Sequence, residues 1–133
     1  MNALATVDWA LVNGRVAGVF GPVLILTGIA GFLIPQRLAL MSGAPAYNIF
    51  HIVSGLIGTA LVLARIPRGA AAFNAGFGAI DLYQVVAGLG GFFPARAFRY
   101  KTADHVLHLV LGLALAAVGA FGTFGTFGLQ GLR

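Results

Sequence analysis

Between positions 16 and 34 the chain carries no charged side chain, and the same holds for 46–64. Each run is just long enough for a helix to cross a hydrocarbon core of about 30 Å. Two further apolar stretches, 70–93 and 104–124, hold only Asp81 and Asp104 as charged groups. Of the 133 residues, 59% are hydrophobic and 8% charged, against about a quarter charged in a soluble domain. A surface so poor in charge is not one that water can solvate, so the solvent for most of the chain is lipid.

Turn residues separate the runs. Pro35, Gln36 and Arg37 end the first, and Ser42, Gly43 and Pro45 punctuate the loop before the second. The short connection Arg65 to Gly69 makes spans two and three antiparallel neighbours. Pro94 ends the third, and Thr102 or Asp104 is placed to cap the fourth. Pro22 is expected to kink the first span mildly without breaking it. The predicted organisation is an interfacial lead at 1–15, four spans at 16–34, 46–64, 70–93 and 104–124, and a tail at 125–133. Trp9 anchors the lead, and the glycine-rich tail is expected to leave the helix and lie at the interface with its phenylalanines in lipid. The start lacks a basic region leading into a small-residue cleavage site, so the first span is expected to be retained.

The second half restates the first. Asn48-x-x-His51-x-x-x-Gly55 returns as His105-x-x-His108-x-x-x-Gly112, and Gly28 and Gly31 before Pro35 parallel Gly88 and Gly91 before Pro94. A unit of two spans brings the chain back to its starting side. The fold predicted is therefore an all-α integral membrane four-helix bundle of two parallel-related hairpins, with His51 and His108 at one depth. Small residues mark close helix contacts in lipid, so Gly28, Gly31, Gly55, Gly58, Gly88, Gly91 and Gly112 are the candidate packing glycines.

Few residues are chemically active. His51 and His108 are positioned to hydrogen-bond neighbouring groups and lock the helices together, or alternatively to hold a haem or a (bacterio)chlorophyll. Asp81, inside the third span, is a functional candidate by depth alone. Tyr83 and Gln84 are placed on neighbouring faces, and the histidines roughly 10 Å nearer the membrane edge. His105 is expected to be solvated. Asn48, His51, Asp81, Tyr83, Asp104, His105 and His108 make up the expected interhelical polar contacts.

Several classes are excluded or disfavoured. There is no cysteine, hence no disulfide framework and no thiolate site. No catalytic or metal-binding motif occurs, so no enzyme and no metal are expected. The eight Lys and Arg against three acidic residues lie at span ends, where they meet lipid phosphates rather than nucleic acid. They divide evenly: Arg15, Arg65, Arg68 and Arg133 on one side, Arg37, Arg96, Arg99 and Lys101 on the other. Orientation therefore does not follow from them.

At Asn48-x-x-His51-x-x-x-Gly55 and Asp104-x-x-x-His108-x-x-x-Gly112 the chain resembles the domain-of-unknown-function family 4383, small bacterial proteins with four membrane spans. His105 departs from the asparagine common there. The resemblance implies that fold and a bacterial inner-membrane location, and no activity. The near absence of chain outside the spans, the lack of a catalytic constellation and the glycine faces suited to packing lead to an expectation of a non-catalytic accessory subunit of a larger respiratory or photosynthetic complex, with bound lipid and other membrane subunits as partners. A pigment or haem protein, and a small transporter using Asp81, are the alternatives.

Overall fold

A computed structural model describes residues 7–130, with side chains as far as residue 124. Residues 1–6 of the expected lead, and 131–133 with Arg133, lie outside the described residues. Five helices follow in order: α1 (Trp9–Leu33), α2 (Pro45–Leu63), α3 (Pro67–Gly90), the single turn α4 (Ala95–Phe98) and α5 (Thr102–Gln130). No strand occurs among the described residues.

The ends are set by local chemistry. The Asp8 carboxylate accepts the Leu11 N–H at 3.0 Å and caps α1. Residues 9–15 are thus the first turns of α1 rather than a separate lead, and Trp9 stacks on Phe121 of α5 at 4.9 Å. Prolines at the first positions of α2 and α3 give up no hydrogen bond there. Pro22 lies on the exposed side of α1, which continues through it. At the end of α3, Gly91 takes φ 70°, a left-handed cap that suits glycine. A Cβ there would meet nothing within 4 Å. Gly91 is a helix stop, not a packing residue.

The Gly-Thr-Phe tail does not leave the helix at 124. The α5 backbone continues to Gln130. Part of the reason is tertiary: Gly119 lies against Ala75 of α3 and Gly122 against Asn13 of α1, so close packing offsets the intrinsic cost of glycine.

The long helices pair closely as α1 with α2 and α3 with α5, and α1 also touches α3 and α5. The two close pairs use matching contacts. A Cβ on Gly55 would stand 2.5 Å from the Gly21 carbonyl oxygen, and one on Gly112 3.0 Å from that of Gly78. Gly31 lies against the Asn48 amide, and Gly88 against the His105 ring. Gly31 therefore corresponds to Gly88, and Gly21 to Gly78, in register with the two histidines. This corrects the pairing of Gly28 and Gly31 with Gly88 and Gly91. Gly28 packs on the Asn48 carbonyl and Ile52, and Gly58 on the Phe73 ring. At the centre Leu24, Phe77 and Leu115 form the buried core, with Phe20, Phe50, Phe73 and Leu111 against it.

Three helices are long and apolar enough to cross a membrane by length and composition: α1, α2 and the 102–124 portion of α5. The chain is in this respect a multi-pass membrane protein. The third expected span, α3, does not meet that measure. Its sequence includes Asn74, Asp81 and Gln84, all of them buried.

Candidate functional site

The loop after α1 and the loop before α5 meet at one end of the helices, and Asp104 joins them. Asp104 is 0% exposed. Its Oδ2 accepts the backbone N–H of Lys101 at 2.7 Å and of Ser42 at 2.9 Å. Its Oδ1 accepts the Tyr47 hydroxyl at 3.1 Å. The Lys101 contact reaches back over the first turn of α5, as an acid at this position does in a capping box. The Ser42 and Tyr47 contacts are tertiary. Asp104 is therefore both the expected cap and the hub of the cluster.

Other groups tighten the junction. The Ser42 hydroxyl donates to the Phe98 carbonyl and accepts the Ala44 N–H at 3.2 Å. The Lys101 ammonium donates to the Gln36 and Ala39 carbonyls at 2.7 and 2.6 Å. The Asn48 amide donates to the Gly43 carbonyl at 3.0 Å, so Asn48 holds its own loop while its side chain packs on α1.

Tyr47 links this hub to both histidines. Its hydroxyl lies 2.7 Å from His108 Nε2, and its ring lies 4.2 Å from the His51 ring and 5.8 Å from that of His108. The Tyr47 hydroxyl has one hydrogen to donate, and Asp104 Oδ1 is within reach to accept it. With the hydroxyl turned to Asp104, His108 Nε2 donates to the Tyr47 oxygen and Nδ1 is the bare nitrogen of the neutral ring; with it turned to the closer Nε2, the tautomer is the reverse. Nδ1 of His51 and of His108 are both buried without a hydrogen-bond partner.

Asp81 is 1% exposed. Gln84 Nε2 lies 3.4 Å from its Oδ1, and the Tyr100 hydroxyl donates to Gln84 Oε1 at 3.0 Å. Gln84 is on the same face as Asp81, three residues along, as helix geometry requires; it is not on a neighbouring face. The expected 10 Å offset from the histidines is also too large. A Cβ on Gly112 would stand 3.1 Å from that of Asp81, which places Asp81 about one turn, roughly 5 Å, beyond His108. Tyr100, outside the helices, has its hydroxyl pKa raised by burial first and by Asp104 second, so it acts as a donor.

Two expected contacts differ. The exposed Tyr83 donates to the Phe93 carbonyl at 2.7 Å, just beyond its own helix. His105 is half-buried rather than solvated, packed on Tyr100 and Gly88 with Nδ1 buried and unpartnered. Sequence reasoning missed Ser42, Tyr47, Tyr100 and Gln84 as parts of the cluster. A signal for Tyr47 was present: Tyr47 precedes His51 by the same four residues as Asp104 precedes His108. A second polar contact lies at the far end, also missed. Asn13 donates to the Trp9 and Val118 carbonyls at 2.9 and 3.0 Å, and Asn74 donates to Asn13 Oδ1 at 2.8 Å. It ties α1, α3 and α5 together.

His51, His108 and Asp81 line one cavity of about 210 Å³, whose remaining wall includes Phe20, Leu24, Phe77 and Leu111. The cavity is smaller than the 300–1,000 Å³ or so usual for small-molecule sites, His108 Nε2 faces Tyr47, and the Tyr47 ring packs on both imidazoles. Among the described residues no group of three or more His, Cys, Asp or Glu is placed to hold a metal ion.

Compared with known proteins, the chain matches no family model, no curated protein and no solved structure.

Proposed function

We propose that this chain is a non-catalytic accessory subunit of a larger bacterial inner-membrane complex, built as a four-helix bundle of two parallel hairpins. The observation that carries it is the sorting of side chains on α3. Asn74, Asp81 and Gln84 face inward, while Ile80, Val86 and Leu89 are exposed. The low apolarity of α3 thus belongs to its buried face, and its outer face suits lipid or a partner helix as well as those of α1, α2 and α5 do. The matching Gly21–Gly55 and Gly78–Gly112 contacts support the doubled unit. The family 4383 resemblance, carried by the His-x-x-x-Gly motifs, belongs to the same reading.

The polar cluster supports an architectural role, because Asp104, Tyr47, Ser42 and Lys101 satisfy one another and join the two halves. Extraction from native membranes in mild detergent, followed by crosslinking, is expected to retain a stable membrane-protein partner. A well-behaved monomer with no partner after crosslinking would overturn the accessory role. The transporter alternative has one specific support, the buried Asp81, but no second carboxylate lines its cavity. Asp81→Asn is accordingly expected to leave ion flux in proteoliposomes at the level of protein-free vesicles, as does the unchanged chain.

A further inference from the structure

The surface at the Asp104 end carries positive charge that the protein itself does not balance. Arg37, Arg96 and Arg99 are all exposed there. The Lys101 ammonium is tied to the carbonyls of Gln36 and Ala39, on either side of Arg37. The bond from Ser42 to the Phe98 carbonyl draws α4 against the same loop, so Arg96 within α4 and Arg99 at its end join the other two cations. The chain has three acidic side chains in all. Asp104 is buried with its oxygens already taken by Ser42, Lys101 and Tyr47. Asp81 is buried within α3, and Asp8 caps α1 at the opposite end. No acidic side chain is left to pair with the three arginines.

Large apolar side chains are interleaved with these cations. Leu40 is 78% exposed and Phe93 84%, and Leu38 and Phe92 are exposed beside them. Arg96 shares an open cavity of about 300 Å³ with Phe92, Phe93 and Pro94. Water disfavours such leucines and phenylalanines, and hydrocarbon disfavours the arginines. The boundary layer of a bilayer accepts both, with rings and leucines among acyl chains and guanidinium groups at the depth of the phosphates.

We propose that this end of the protein binds an anionic phospholipid, its phosphate paired with Arg96 in the open cavity and its acyl chains beside Phe92 and Phe93. A guanidinium grips a phosphate through two parallel hydrogen bonds. Arg37, Arg99 and Lys101 supply the selectivity, because a zwitterionic headgroup brings an ammonium that they repel, whereas a net negative one does not. Each cation near an anionic lipid surface is worth about a fivefold gain in binding. An acidic protein segment would neutralise the arginines but leave the leucines and phenylalanines uncovered, and a lipid covers both. The proposal rests on the membrane placement and not on the accessory role, which the crosslinking experiment tests separately.

The test presents the full chain, delipidated in a neutral detergent, with equal amounts of phosphatidylglycerol and phosphatidylcholine, and counts bound lipids by native mass spectrometry. The first lipid bound is expected to be phosphatidylglycerol by at least fivefold. Arg96→Gln alone is expected to lower that ratio twofold or more. The combination Arg37→Gln, Arg96→Gln and Arg99→Asn is expected to bring it close to one. Asn suits the left-handed backbone at Arg99, where φ is 50°, and Lys101 is kept because it holds the loop. The matched control removes three cations from the opposite end, Arg15→Gln, Arg65→Asn and Arg68→Gln, and is expected to keep at least half of the preference. Equal binding of the two lipids by the unchanged chain overturns the proposal. So does a preference that survives Arg96→Gln and the loop-end combination, or one that both combinations abolish equally, which would mean diffuse charge. A crosslinked acidic protein lost in the loop-end combination, with no lipid preference in the unchanged chain, would assign this surface to a protein and also overturn it.

Discussion

Asp104→Ala is expected to lower the stability of the folded protein by about 3 kcal/mol, from the loss of three hydrogen bonds at a buried carboxylate. The Ser42 and Lys101 N–H groups and the Tyr47 hydroxyl all lose their acceptor. The two backbone donors lie in loops and regain water in part; Tyr47 can turn its proton to His108 Nε2 only if that ring changes tautomer. Asp104→Asn is expected to lose about half as much. Its amide oxygen can keep the two N–H groups, while its NH2 donates to Tyr47, whose proton then passes to His108. Thermal unfolding in detergent, followed by circular dichroism, should place the midpoints in the order wild type, Asn, Ala. Equal midpoints for Ala and wild type would remove Asp104 from its place as the hub.

Gly78→Leu is expected to have a still larger effect and to separate α3 from α5. A Cβ at Gly78 would lie 2.8 Å from the Gly112 carbonyl oxygen and 2.9 Å from the Ala116 Cα, and closer still to the Ala116 nitrogen. These are backbone atoms, which cannot rotate aside as a side chain can. Gly78→Ala alone is expected to cost on the order of 1–3 kcal/mol, the usual range for overpacking. Gly76 is the internal control. It lies on the same helix with nothing within 4 Å of its Cβ position, so Gly76→Ala is expected to be neutral or to stabilise by up to about 1 kcal/mol through helix propensity. The same unfolding measurement decides both. If Gly76→Ala and Gly78→Ala behaved alike, the close α3–α5 contact would be wrong.

These two sites show where sequence information is sufficient and where it stops. The apolar runs, the proline and glycine punctuation and the scarcity of charge determine a helical membrane protein, because apolarity and helix formation are local and sum along the chain. The four-residue spacing from His51 to Gly55 and from His108 to Gly112 likewise places each pair on one helix face from backbone geometry alone. The junction at Asp104 was legible only in part: the cap was local, but Ser42 and Tyr47 come from another helix and its loop. The register of Gly31 with Gly88, the helical continuation past 124, and the chamber shared by Asp81 with both histidines were decided by tertiary structure. Each depends on how far one helix is rotated and shifted against another. Close backbone contact and buried hydrogen bonds between distant residues set that rotation, and no local pattern encodes it.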